Sequence, residues 1–286
     1  MQEYYNYLST PSGLECNLKE MTNREYLILL KFLNGENYKG FYGALDSLIR
    51  QSITNFDSMN LIDKAYIYIA NFYYSVKSDI AVKGEIVDTV DLPLIIFLNE
   101  LEESYNKELM NHNVMNFKCL LHYPTQLLFD SNDNIDIDFS SSIRQVGNEV
   151  LNLEQSKTLA KMLPLKYLNE IIAKIKEKYN TQISISKGIK GVKEMKDNLL
   201  NSSIFYSIAY IYKDSLENFY NMQYMITHYI RVDWQSLLDM TPVELSILYK
   251  NFIEDKERQN ESAKNNNRTG VLNSLDPNTS DLLGGI

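Results

Sequence analysis

The sequence predicts a mainly α chain with a few short β-strands, an α+β protein whose C-terminal half is a bundle-like array of helices. Three observations predict it. Apolar residues recur at helical spacing over long stretches, strand-like alternation is confined to short runs, and two helix starts carry the Thr-x-x-Glu signature of a capping box.

The first of those starts is Thr22, with Glu25 three residues on and the apolar run Tyr26-Leu27-Ile28-Leu29-Leu30 behind it, giving a helix over 22–33. Helices over 40–54 and 59–77 follow, the latter with Ile62, Tyr66, Ile69, Phe72, Tyr73 and Val76 on a helical period. Ile80, Val82, Gly84 and Ile86 alternate as a strand does. Pro93 opens an apolar helical stretch through Leu101. Phe117, Cys119 and Leu121 alternate again and stop at His122-Tyr123-Pro124. The segment 130–138 reads as an acidic loop and 140–151 as a helix. Pro164 starts a helix with Leu165, Leu168, Ile171, Ile172 and Ile175 on one side, and 181–186 is a short strand. Three or four helices fill 193–260. The last opens at Thr241-Pro242-Val243-Glu244, an N-cap, a proline at the first helical position and the glutamate that completes the box. After Glu261 the chain is rich in Asn, Ser, Gly and charge, which predicts a flexible tail. The expected organisation is an N-terminal arm (1–17), a helical domain with a short strand (18–115), an α+β middle (116–192), a Tyr-rich helical module (193–260) and the tail (261–286).

At 286 residues and 44% hydrophobic, the chain buries a sizeable core. Net charge is −9, from 28 basic and 37 acidic side chains, which disfavours nucleic acid as a partner. Cys16 and Cys119 match no zinc or redox spacing and read as free thiols of a reducing compartment. The apolar stretch 61–76 is interrupted by Asp63, Lys64 and Asn71, so no membrane span is expected. The N-terminus lacks a signal-peptide pattern, and a soluble, intracellular protein is expected.

No motif for catalysis, metal or cofactor stands out. His112, His122 and His228 are widely separated. The run Asp130-Ser131-Asn132-Asp133-Asn134-Ile135-Asp136 resembles half a calcium loop, with Ile135 where glycine is needed and Ser141 where glutamate is needed. Glu100, Glu102 and Glu103 read as a solvated helix face. Gly188-Ile189-Lys190-Gly191, with Lys187, Lys193 and Lys196, has the form of a backbone-clamping G-x-x-G loop, a pattern common by chance.

What remains is aromatic. The chain has 21 tyrosines and one tryptophan. Phe205, Ile208, Tyr212, Leu216 and Phe219 recur as a stripe, broadened by Tyr206, Tyr210 and Tyr220. Most of this reads as core, yet there is more amphipathic aromatic than one core needs, and tyrosine suits interfaces. The residues expected to bind a partner are Tyr220, Tyr224, Tyr229, Trp234 and Phe252. The tail adds Leu275, Leu282 and Leu283 as apolar beads that order on contact.

The order of elements resembles the baseplate hub and hub-assembly proteins of T4-type contractile-tailed bacteriophages. The likeness runs from the Thr22 helix through the helix–helix–strand unit 41–85, the strand and proline at 118–124 and paired helices over 140–179. It ends in the closing array 205–260, which looks most similar; 1–17 and 262–286 fall outside it. The resemblance implies a structural or assembly role without catalysis. Its implied partners are hub subunits, a tape-measure protein, a spike or a second copy, met in the host cytoplasm during assembly or in the virion. No residue roles carry over. Two alternatives stay open: an intracellular enzyme with a cryptic pocket, and a nucleic-acid-associated regulator using the 187–196 lysines.

Overall fold

The computed structural model describes residues 4–82, 90–179, 182–184, 196–198, 200 and 202–273. The segment expected as an arm is, in its described part, a hairpin of β1 (Tyr5–Ser9) and β2 (Glu15–Lys19) whose inner residues Leu8 and Leu18 are buried. Its turn places Gly13 at φ +86°, a conformation glycine adopts without strain. Helix α1 (Asn23–Asn34) starts at the Thr22 capping box as expected. Helix α2 (Tyr38–Ile49) crosses it so closely that a Cβ on Gly40 would lie 2.4 Å from the Phe32 ring.

Helix α3 (Leu61–Ser75) is capped by the Asn60 side chain, which accepts from the Ile62 and Asp63 amides. Apart from Tyr73 and Tyr74, every residue of it is buried. Strands β3 (Asp79–Val82) and β4 (Val90–Pro93) form a hairpin that leads into α4 (Leu94–Ser104), begun by Pro93. Strands β5 (Met110–Val114), β6 (Phe117–Leu121), β9 (Ile143–Val146) and β10 (Glu149–Val150) make an antiparallel sheet in the order β10-β9-β6-β5. Between them β7 (Leu127–Phe129) and β8 (Ile135–Ile137) pair as a hairpin. Helices α5 (Leu153–Met162) and α6 (Leu165–Tyr179) follow, then the paired strands β11 (Gln182–Ser184) and β12 (Lys196–Asn198). Helices α7 (Ser203–Tyr212), α8 (Leu216–Ile230), α9 (Trp234–Asp239) and α10 (Pro242–Asn273) close the chain. The chain is mainly α with small sheets, the fold class the periodicity predicts.

Three elements differ from expectation. The helix expected over 140–151 is a 3-10 turn (Phe139–Ser142) followed by β9 and β10. Gly147-Asn148 joins those strands, with Gly147 at φ +59°, a turn dipeptide between β-branched residues that marks a hairpin. The acidic loop is not merely solvated. Asp130 accepts from the Asn132 and Asn134 amides at 2.8 and 2.9 Å, and Asp133 accepts from the Tyr38 amide and, at 2.9 Å, the Lys39 amide at the start of α2. The polar stretch after Glu261, expected as a flexible tail, continues α10 to Asn273. Charge pairs one turn apart, Glu254 with Lys250 and Arg258, support that helix where it leaves the body.

The two capping boxes lie side by side. Thr241 donates its amide to Glu244 Oε2 at 2.8 Å and its hydroxyl accepts from the Glu244 amide at 3.3 Å. Buried Asn23, beside the Thr22 box, donates its amide to the Met240 carbonyl at 2.7 Å and its side chain to the Leu237 carbonyl at 2.8 Å. Arg24 pairs with Asp239 at 3.0 Å. The first and last strong helices are thus tied start to start.

Part of the tyrosine excess is spent inside. Tyr212 donates to the Tyr68 carbonyl at 2.6 Å, Tyr42 to the Phe205 carbonyl at 2.5 Å and Tyr26 to the Tyr212 carbonyl at 3.3 Å, each joining two helices. We predict that Tyr212→Phe lowers stability by roughly 1–2 kcal/mol in urea unfolding, because its hydroxyl is fully buried. Tyr210→Phe, at a position 63% exposed, is expected to change stability by less than about 0.5 kcal/mol. Equal effects would contradict the bracing role.

Candidate functional site

The described residues carry two features able to meet another molecule. The first is an aromatic face on α8 and α10. Tyr220, Tyr224 and His228 stand one turn apart on α8. Tyr224 and His228 stack with centroids 5.6 Å apart and planes 8° apart. Tyr229 meets His228 edge-on at 4.9 Å and stacks on Phe252 of α10 at 5.3 Å. Lys256 lies over both of those last rings, at 5.6 and 5.8 Å. Tyr220, Tyr224 and Tyr229 remain exposed, and Phe252 is half-buried. Of the expected partner-binding residues, these four come together. Trp234 is exposed at the start of α9 and makes no ring contact among the described residues. Leu275, Leu282 and Leu283 lie outside the described residues, as does the Gly188–Gly191 motif. His228 and Lys256 belong to the face although the sequence reading passed over them. Their signal was the four-residue step from Tyr224 and from Phe252.

The second feature is a charged cleft of about 290 Å³ between α2, α3 and the segment after β6. Asp46 accepts from the Tyr68 hydroxyl at 2.6 Å and pairs with Arg50 at 3.5 Å, and Arg50 also holds Asp57 at 2.7 Å. Burial raises the Asp46 carboxyl above the usual carboxylate range, against the opposing pull of the Tyr68 hydrogen bond. Lys64 is 4% exposed and donates to the Thr125 carbonyl at 2.8 Å and more weakly to the Asp57 carbonyl at 3.4 Å. Burial pulls its ammonium down to about 8, partly opposed by Asp46 and Asp57. In the sequence Lys64 stood out only as an interruption of an apolar run.

The histidines lie in different places. His112 faces Cys119 across the β5–β6 ladder, and burial raises the Cys119 thiol, so it is not an activated nucleophile. His122 is packed edge-on against Tyr105, Tyr123 and Tyr179. Burial, with Arg144 nearby, lowers it to about 4, so it is neutral at physiological pH. Among the described residues no group of His, Cys, Asp and Glu has metal-binding geometry, and no helix is long and apolar enough to cross a membrane.

A family model described as T4 bacteriophage base plate protein matches residues 3–197. The chain belongs to that family. No curated protein and no solved structure matches it. Membership marks the chain as a structural protein of the phage tail. The matched span begins at the hairpin, which the pattern of likeness had left out, and ends before α7, so the array 205–260 that had looked most similar lies beyond it. The charged cleft and the His122 cluster fall within the family's span. The α8–α10 face does not.

Two pH effects follow, of the same sign. The unfolded chain protonates His122 near 6.5 and the native chain only near 4, so stability falls as the pH drops through that window. We predict a loss of roughly 3 kcal/mol by pH 4, which His122→Phe removes. Lys64 loses its proton near 8 in the native chain and near 10.5 when unfolded, so its burial penalty is relieved as the pH rises from 8 to 10.5. The difference in stability between the protein and Lys64→Met, measured by urea unfolding across that window, is expected to rise with pH. A flat difference would contradict it.

Proposed function

We propose that the protein is a structural or assembly component of a contractile-tail baseplate hub that works through protein–protein contacts and not through catalysis. Family membership supports the baseplate setting. The contact role is supported by the α8–α10 face: connected rings, half of their surface in water, seamed by one lysine. Such a face offers rigid amphipathic area at low entropic cost, the property that enriches tyrosine at interfaces. The exposed polar stretch of α10 over 257–262 gives the partner a second element to grip. Hub subunits, a tape-measure protein or a spike are the partners this reading names, with self-association as a further outcome. The hydrogen-bonded acids and bases of the cleft serve recognition on this reading.

The test is co-expression with individual tail proteins followed by pull-down. The protein is expected to retain at least one hub, tape-measure or spike subunit. The double variant Tyr224→Ala/Tyr229→Ala should weaken that retention about tenfold or more, since truncating an anchoring aromatic costs 2 kcal/mol or more. Its thermal melting should stay close to that of the parent. A protein that remains alone beside every tail subunit contradicts the reading.

A further inference from the structure

The charged cleft holds more cations than carboxylates, and one hydroxyl without a partner among the described residues. Its cations are Lys39, Arg50 and Lys64 and its carboxylates Asp46 and Asp57. Both carboxylates are engaged, by Tyr68 and Arg50. Lys64 donates to two carbonyl oxygens and lies over the Phe56 ring at 5.0 Å, and no carboxylate lies within 4 Å of it among the described residues. Asp46 and Asp57 offset only part of the cost of burying this ammonium, and an arriving carboxylate in direct contact relieves more of it. Beside it Thr125, 1% exposed and part of the cleft wall, has a hydroxyl with no hydrogen-bond partner. Because Lys64 is bonded to the Thr125 carbonyl, the spare ammonium proton and the spare hydroxyl belong to one corner. The remaining wall includes Gln126 and an apolar part from Tyr42, Leu61, Leu127 and Phe129. On the α2 side a Cβ on Gly43 would meet nothing within 4 Å, so the cleft is left open there.

We propose that this cleft is a carboxylate socket that receives an acidic side chain of a partner tail protein, the charge on Lys64 and Thr125 and the hydrocarbon stem against Tyr42, Leu61 and Phe129. The apolar wall favours a carboxylate on a short stem over a bare inorganic anion, whose whole surface needs polar partners. The socket rests on the reading that the protein works by contacts with other tail proteins. It uses the family-matched part of the chain, whereas the aromatic face lies beyond it.

Calorimetric titration of the full chain with glutarate and, separately, inorganic phosphate tests the chemistry. Glutarate is expected to bind saturably and phosphate not to. Lys64→Met and Gly43→Leu are each expected to weaken glutarate at least tenfold. Gly43→Leu adds volume at an open, helical position and raises helix propensity, so it keeps the protein folded, with circular dichroism as the check. Absence of glutarate binding, glutarate binding unchanged in Gly43→Leu, or phosphate bound as tightly as glutarate would each overturn the socket. In the pull-down with tail proteins, loss of a partner by Gly43→Leu supports the acidic-side-chain source. A partner held equally by parent and variant overturns the socket and leaves the assembly reading intact. A parent that holds none overturns the assembly reading, and with it the socket's partner.

Discussion

Helix α3 is enclosed by protein yet carries Asp63, Lys64, Asn71 and Ser75, and each of them needs a partner because an unpaired buried polar group costs about 1–3 kcal/mol. The fold supplies those partners from every side. Asp63 accepts from the Ser12 amide in the β1–β2 turn, Asn71 donates to the Lys19 carbonyl at the end of β2, and Ser75 accepts from the Met21 amide that leads into α1. Lys64 reaches the Thr125 carbonyl, and the Leu61 amide donates to the Pro124 carbonyl in the same segment. Tyr212 closes the set from α7. Hairpin, first helix, middle region and closing helices are all registered against one rod. The polar interruptions that disqualify α3 as a membrane span are therefore what orient everything around it.

That arrangement explains how an aromatic-rich protein has surface left for contact. Tyrosines at the interhelical seams bury their rings and pass their hydroxyls to a neighbouring backbone, so they brace without leaving unpaired donors. Tyrosines on the outer side of α8 stay exposed, Tyr224 stacking on His228 and Tyr229 on Phe252 of α10. The same residue type is thus a strut in α1, α2 and α7 and an exposed ring in α8. In the cleft the acids are satisfied internally and the Thr125 hydroxyl is left over among the described residues. On the proposed reading the aromatic face and the cleft are two chemically distinct grips on neighbouring tail proteins.

The helices and their starts were legible because local chemistry specifies them. Thr22 with Glu25, Thr241 with Glu244 and Pro93 mark starts that the structure keeps. The hairpins were less so. Gly147-Asn148 is a strong turn pair, but it sits in a stretch whose apolar residues fit a helical period nearly as well, and pairing across strands decides between them. The N-terminal hairpin is held by Asp63 and Asn71, both more than fifty residues away, and no local pattern announces such bonds. Four of the aromatic contact residues could be read because they follow helical spacing. The cleft could not, since its walls come from α2, α3 and the segment after β6, brought together only by folding. Asp133 shows the same limit: its neighbours suggested a calcium loop or a solvated turn, while its work is to cap α2.

Family membership fixes the setting, a phage tail, and the means we propose is a scaffold that displays two grips. Everything displayed depends on α3 keeping its place. Native-state hydrogen exchange measures that directly, because an amide released only by global unfolding exchanges with the full unfolding free energy. The amides of 65–75 should exchange at the global limit, together with those of α7 that pack on them, while α10 beyond Lys256 exchanges far faster. Exchange of the α3 amides by local opening, well below the global free energy, would contradict the claim that this helix organises the molecule.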